Sequence, residues 1–227
     1  MKPLPIYVFF KEQWQLMRKM PPKKRLEHIW EYYRFYLLGF LALVVLLGFV
    51  IQGQVRKHQE VLVSGIFINT DTSDEGYSFL SHDYWHLHGS DQNKRVDLIE
   101  TVIIDFSDIS NSQDSGNMIL QVDALIAAKE LDYMILNEEA FQFYTSRGLC
   151  MDLSSILDPT QMATLEERLV FADSPEQEMS VCFGLNLTDS VFSSKFGLTA
   201  EPSYFVVLSN APHMSQLSDY LQYLFLS

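Results

Sequence analysis

In the stretch "SHDYWHLH", His82 and His86 stand four residues apart. On an α-helix they share a face and could grip a metal ion. Two imidazoles need a third ligand, however. Asp83 lies about 100° round the helix, and His88 falls beyond its expected end. Packing or solvated histidines are the plainer reading, and no metal is assigned. The loop "DFSDISNSQDSGN" offers many oxygens but lacks the spacing that wraps calcium. Asp132, Glu138 and Glu139 could act as paired acids. Their simpler roles are a residue leading into a strand and first-turn charges at a helix's positive end.

Cys150 and Cys182 could close a disulfide, worth roughly 3–4 kcal/mol on the chain-entropy account. Cys182 sits in the strand-like "MSVCFGLNL", where a buried free thiol is the alternative. "NLT" at Asn186 fits a glycosylation acceptor and carries little weight here. The chain has no Gly-x-Ser-x-Gly, His-Glu-x-x-His, phosphate loop or dinucleotide fingerprint. The reading is therefore non-catalytic, with no cofactor.

Charge says where such residues sit. The net charge of −13 is split sharply along the chain. Residues 1–34 hold eight Lys/Arg against three Glu, a net of +5, whereas residues 53–227 hold eight bases and 26 acids, a net of −18. Between them, "FYLLGFLALVVLLGFVI" (residues 35–51) is uncharged and rises about 25 Å as a helix, near the lower limit for a bilayer core. Trp30, Tyr32, Tyr33 and Tyr36 form an aromatic belt at one flank. Basic residues stay inside, so residues 1–34 are expected to be cytoplasmic, 35–52 a retained signal-anchor, 53–60 a connector and 61–227 an extracytoplasmic domain. The stretch "PIYVFFKEQWQLMRKM" could also lie on an anionic inner leaflet. An acidic outer domain would repel phosphates, which makes nucleic acid a poor partner. The expected partners are the lipid bilayer and a membrane or envelope protein or a second copy, with a small-molecule ligand left open.

The outer domain alternates strands with helices. Strands are expected in "VLVSGIFINT", "VDLIETVIIDF", "LDYMIL", "EMSVCFGLNLT" and "SYFVVLSN". Helices are expected from a Ser73 cap through "SDEGYSFLSHDYWHLHG", from Asn117 to Lys129, after an Asn137 cap, and over "SQLSDYLQYLFL". "DPTQMATLEERLVF" reads as helical and "DSVFSSKFG" as a short helix. This rhythm implies α/β architecture: a mostly parallel five-stranded sheet with helices on both faces. Ligands of such sheets sit beyond the strands' carboxyl ends. Asn69, Thr70, Ser107, Asn137, Glu138 and Asn186 thus form the expected rim for a ligand or partner.

"LQVDALIAAKELDYMILNEEAFQFYTSRGLCMDLSSIL" resembles extracytoplasmic solute-binding proteins of ABC importers, which have a type II periplasmic-binding-like fold. "CFGLNLTDSVFSSKFGL" resembles their passage between lobes, and "SYFVVLSNAPHMSQLSDYLQYLFL" their late strand and helix. The resemblance implies a sheet whose rim faces solute. Those proteins close two lobes around a ligand, and about 167 residues from Val61 hold only one. Half the cleft wall is missing, so the rim reads as a docking edge. Small domains of this kind on a single span resemble membrane proteins of clostridial-type bacteria.

Overall fold

The computed structural model describes Pro21, Phe35, residues 38–49, and residues 59–226 apart from 110–111, 174–179, 189–193 and 201. The chain divides into two compact units, Met1–His58 and Gln59–Ser227. In the first unit, residues 38–49 are helical and their large apolar side chains are exposed. Among the described residues no helix is long and apolar enough to cross a membrane. The remainder of the 35–52 span, the aromatic belt at residues 30–36 and the leaflet stretch 5–20 lie outside the described residues.

In the second unit, strand β1 (Glu60–Ile68) leads through a helical segment to β2 (Lys94–Val102), and β2 leads through a long helix to β3 (Tyr133–Asn137). β1 pairs in parallel with both β2 and β3. Later come β4 (Leu169–Asp173), β5 (Ser180–Asn186) and β6 (Ser203–Val207), in the sheet order β2-β1-β3-β6-β5-β4. The pairs β3–β6, β6–β5 and β5–β4 are antiparallel. The expected mostly parallel five-stranded sheet is therefore corrected to a mixed six-stranded one.

The unexpected strand is β4, whose residues by sequence pattern continue a helix. Helix α5 (Pro159–Thr164) starts there as expected, on an Asp158 capping box with proline in the first turn, but stops at Thr164. A single 3-10 turn follows, and "LVFAD" then pairs with β5. Branched and aromatic side chains favour that extended form once a partner strand is beside them. Only six residues separate β4 from β5, too few for the crossover a parallel neighbour needs.

Helices cover both faces, because alternate strand residues point to opposite sides. Tyr133, Ile135, Phe205 and Val207 pack on one face with Leu80, Tyr84 and helix α6 (Met214–Phe225). Met134, Leu136 and Val206 pack on the other with α3 (Gln113–Ala127) and α4 (Glu138–Ser146). Helix α3 starts a turn before the expected Asn117, on a Ser112 cap whose hydroxyl accepts from Ser115 N at 3.2 Å. Its first turn is polar, so apolar periodicity could not reveal it.

The segment after Ser73 is helical as expected, and the Ser73 hydroxyl accepts from Gly76 N at 3.1 Å. It nevertheless changes winding between α1 (Asp74–Ser78) and α2 (Tyr84–Leu87), where Phe79–Asp83 forms a π-helical turn. Wider winding disturbs the regular carbonyl ladder. Two tyrosines of α6 meet consecutive carbonyls of this turn: Tyr223 OH donates to Phe79 O at 3.0 Å and Tyr220 OH to Leu80 O at 2.7 Å.

Cys150 and Cys182 are both buried and free. Cys182 belongs to the α6-side core and Cys150 to the α3-side core, so the sheet stands between them, and of the two readings the buried free thiol is the one found. Burial pushes the Cys150 thiol up to about 12 and Cys182 up to about 11, from an ordinary 9.0. Burial also raises Tyr133, Tyr144 and Tyr220 above the usual phenol range. All of these groups hold their protons longer folded than unfolded. The thiols' contribution is complete below pH 9 and is lost as pH climbs from 9 through about 11 to 12, whereas that of the phenols begins to fall only above pH 10. Native protein at pH 8 is expected to show no thiol reactive to Ellman's reagent, and protein in guanidinium two. One fast-reacting thiol in native protein would contradict this packing.

Candidate functional site

Strands β1, β2, β3 and β5 run in the same direction, so their carboxyl ends share one edge of the sheet. This edge collects most of the predicted rim. Asn137 faces Ser203 across β3–β6, and Asn186 faces Tyr204 across β5–β6. The edge is the junction where the chain leaves β1 and β3 toward opposite faces, which is where open α/β sheets bind ligands.

The rim side chains here are each engaged by neighbouring groups of the same domain. Asn69 takes a left-handed backbone (φ 54°), and its amide donates to Ile104 O and accepts from Ile104 N, each at 2.7 Å. Thr70 is buried, with its hydroxyl 3.3 Å from Ser203 Oγ. Asn137 caps α4 by accepting from Ala140 N at 3.0 Å. Glu138 accepts from Gln142 at 2.7 Å and from the Tyr204 hydroxyl. Burial, with Glu138 beside it, pushes Tyr204 above the ordinary phenol range. Asn186 accepts from Thr188 N at 2.8 Å. Ser107 stands apart in the loop after β2, its hydroxyl 2.6 Å from Asp105. Any ligand at this edge must compete with these bonds, each worth roughly 1 kcal/mol net.

A strap closes the edge further. Ser73 N donates to Gly197 O at 2.9 Å, Asp71 N to Thr199 Oγ1 at 2.9 Å, and Thr72 Oγ1 to Phe196 O at 2.5 Å. Gly197 has φ +56°, and a Cβ there would lie 2.7 Å from Ser73 Cβ. A side chain at 197 would force the strap off. Beside Asn186 a polar cavity of about 380 Å³ remains, lined by Glu167, Arg168, Asn186 and Thr188.

The histidine pair does not form a metal grip. His82 lies within the π turn and His86 in α2, so the two sit on differently wound segments. His82 packs edge-on against Tyr77, with ring centroids 6.0 Å apart, and His86 Nδ1 lies 2.6 Å from Ser90 Oγ. His88 meets Asp219 at 3.0 Å. Among the described residues no group of three or more His, Cys, Asp or Glu could hold a metal.

Asp132 does more than lead into a strand. The side chain is fully buried at the opposite edge, just before β3. Its oxygens accept from Ser64 N at 2.8 Å and His213 N at 2.9 Å, with His213 Nδ1 also at 2.9 Å. One carboxylate thus ties β1, β3 and the start of α6. His213 lies 81 residues away, and nothing local to either residue signals the other.

No protein-family model, curated protein or solved structure matches this chain. None supports the resemblance to solute-binding proteins.

Proposed function

We propose that this chain is a single-pass, membrane-anchored extracytoplasmic binding or interaction module without catalytic activity. The observation that carries the reading is the uncharged run 35–51 placed directly after eight Lys/Arg and before an acidic domain. The exposed apolar faces of residues 38–49 suit a lipid surround. The amino terminus is cytoplasmic and Gln59–Ser227 lies outside. The self-bonded rim favours contact with a protein surface over capture of a solute. Alkaline carbonate washing is expected to leave the chain in the membrane fraction. A tag after Ser227 is expected to be digested by protease added to intact cells; protection there would sink the topology.

A second reading, a ligand-sensing or accessory subunit of an ABC-type transporter or envelope complex, draws on the polar cavity beside Asn186. It is favoured if one compound of a small-molecule library stabilises the chain, by about 2.7 kcal/mol at a hundred times its Kd.

A further inference from the structure

We infer that the corner of the domain where β1 and β2 begin seats on an anionic bilayer surface. The inference rests on the single-pass tether proposed above. The chain enters this domain at Gln59, seven residues after Gln52, so an extended connector reaches at most about 24 Å from the end of the span. The loop that follows α2 is fastened at the same point. Gln59 Nε2 donates to Gln92 O at 2.8 Å, and Glu60 N donates to Asn93 O at 2.7 Å. Trp85 Nε1 closes the loop on itself by donating to Asp91 O at 2.9 Å. The end of α2 is thereby held beside the entry point. It carries Leu87, 69 % exposed, between His86 and His88.

Charge and reach select lipid as the occupant. Residues 53–60 and 84–97 hold Arg56, Lys57, Lys94 and Arg95 against Glu60, Asp91 and Asp97, so 4 − 3 = +1. The rest of residues 53–227 holds four bases and 23 acids, so 4 − 23 = −19. Asp219, reaching in from α6, meets His88 at 3.0 Å. Beside an anionic surface, a tethered body divided in this way turns its basic corner inward and its acids outward. The Debye length at physiological salt is about 8 Å, so acids farther off add little repulsion. Leucine beside tryptophan and basic side chains is a composition that suits the headgroup boundary. The short connector also keeps lipid within range of this corner at all times, an effective concentration that no soluble partner matches. The rim lies at the opposite ends of the same strands, so it points away from the lipid and stays open to a protein partner.

Lipid quenching in the full chain tests the seating. Leu87→Cys and Ile103→Cys each receive a nitrobenzoxadiazole label. Ile103, 78 % exposed, follows β2 at the far edge and serves as the control. Cys150 and Cys182 are buried and take no label in native protein. The labelled chains are reconstituted into mixed phosphatidylcholine and phosphatidylglycerol vesicles that contain a lipid spin-labelled at headgroup level. Quenching at position 87 is expected to be at least about twofold stronger than at 103, and to fall toward it in phosphatidylcholine alone. Equal quenching at the two positions overturns the inference. So does quenching at 87 that is unchanged when phosphatidylglycerol is left out, an arm that needs no further substitution. A chain that floats with the vesicles yet shows equal quenching sinks the seating alone. A chain that does not float with them sinks the tethered-module reading.

Discussion

Replacing Asp132 with alanine is expected to destabilise the domain by about 3–5 kcal/mol. The carboxylate is fully buried and is the acceptor for two backbone N–H groups, of Ser64 and His213. Alanine leaves both donors without that partner, and each unpaired buried donor costs about 1–3 kcal/mol. It also releases the His213 ring, which the carboxylate holds at 2.9 Å. The loss is global because the residue joins β1, β3 and α6. Urea melts should show an earlier midpoint with an unchanged slope. Asp132→Asn should recover part of the loss: one amide oxygen can still accept, but the amide NH₂ must face a second donor. Equal midpoints for wild type and Asp132→Ala would remove this carboxylate from the account of the fold.

Gly65→Ala is expected to cost about 3 kcal/mol or more and to lower Tm by roughly 6–12 °C. Gly65 lies in the middle of β1, and a Cβ there would press into the Tyr133 ring, 2.5 Å from Cε2 and 2.6 Å from the hydroxyl. The ring cannot swing away freely. Its hydroxyl lies 3.0 Å from Tyr220 OH, and its face stacks on Phe205 at 4.8 Å between centroids. Tyr220 is in turn fixed by its bond to Leu80 O. Gly65 therefore serves packing, not backbone freedom. A compensating Gly65→Ala/Tyr133→Leu pair should recover much of the loss, since it returns the volume the methyl takes. If the single variant melts with wild type, the close approach of ring and strand is wrong.

Local features were legible because their causes are local. Ser73 and Asn137 cap helices as their types and positions imply. The apolar, β-branched runs of β1, β2 and β3 read as parallel strands, and they pair that way. However, β2, too apolar by its sequence for an exposed edge, stands at the edge of the sheet and is only partly buried. The rim residues Asn69, Thr70, Asn137 and Asn186 follow from knowing where strands end. The engagement of Asn69 with Ile104 and of Thr70 with Ser203 does not, since these partners lie 35 and 133 residues away in the chain. "LVFAD" illustrates the same limit from another side. Directly after helix α5 its apolar residues suit either periodicity, and the neighbouring strand β5 decides.

By itself the sequence determined the charge division, the uncharged run, the α/β rhythm and the caps, all set by residue types within a few positions of one another. Only the tertiary structure decided the reversal of β6 and β4, the π turn met by Tyr220 and Tyr223, the separation of Cys150 from Cys182, and the Asp132–His213 tie. Each depends on groups distant in the chain becoming neighbours in space. Burial then gives such contacts their energy, because a polar group removed from water must find its partner wherever the fold supplies one.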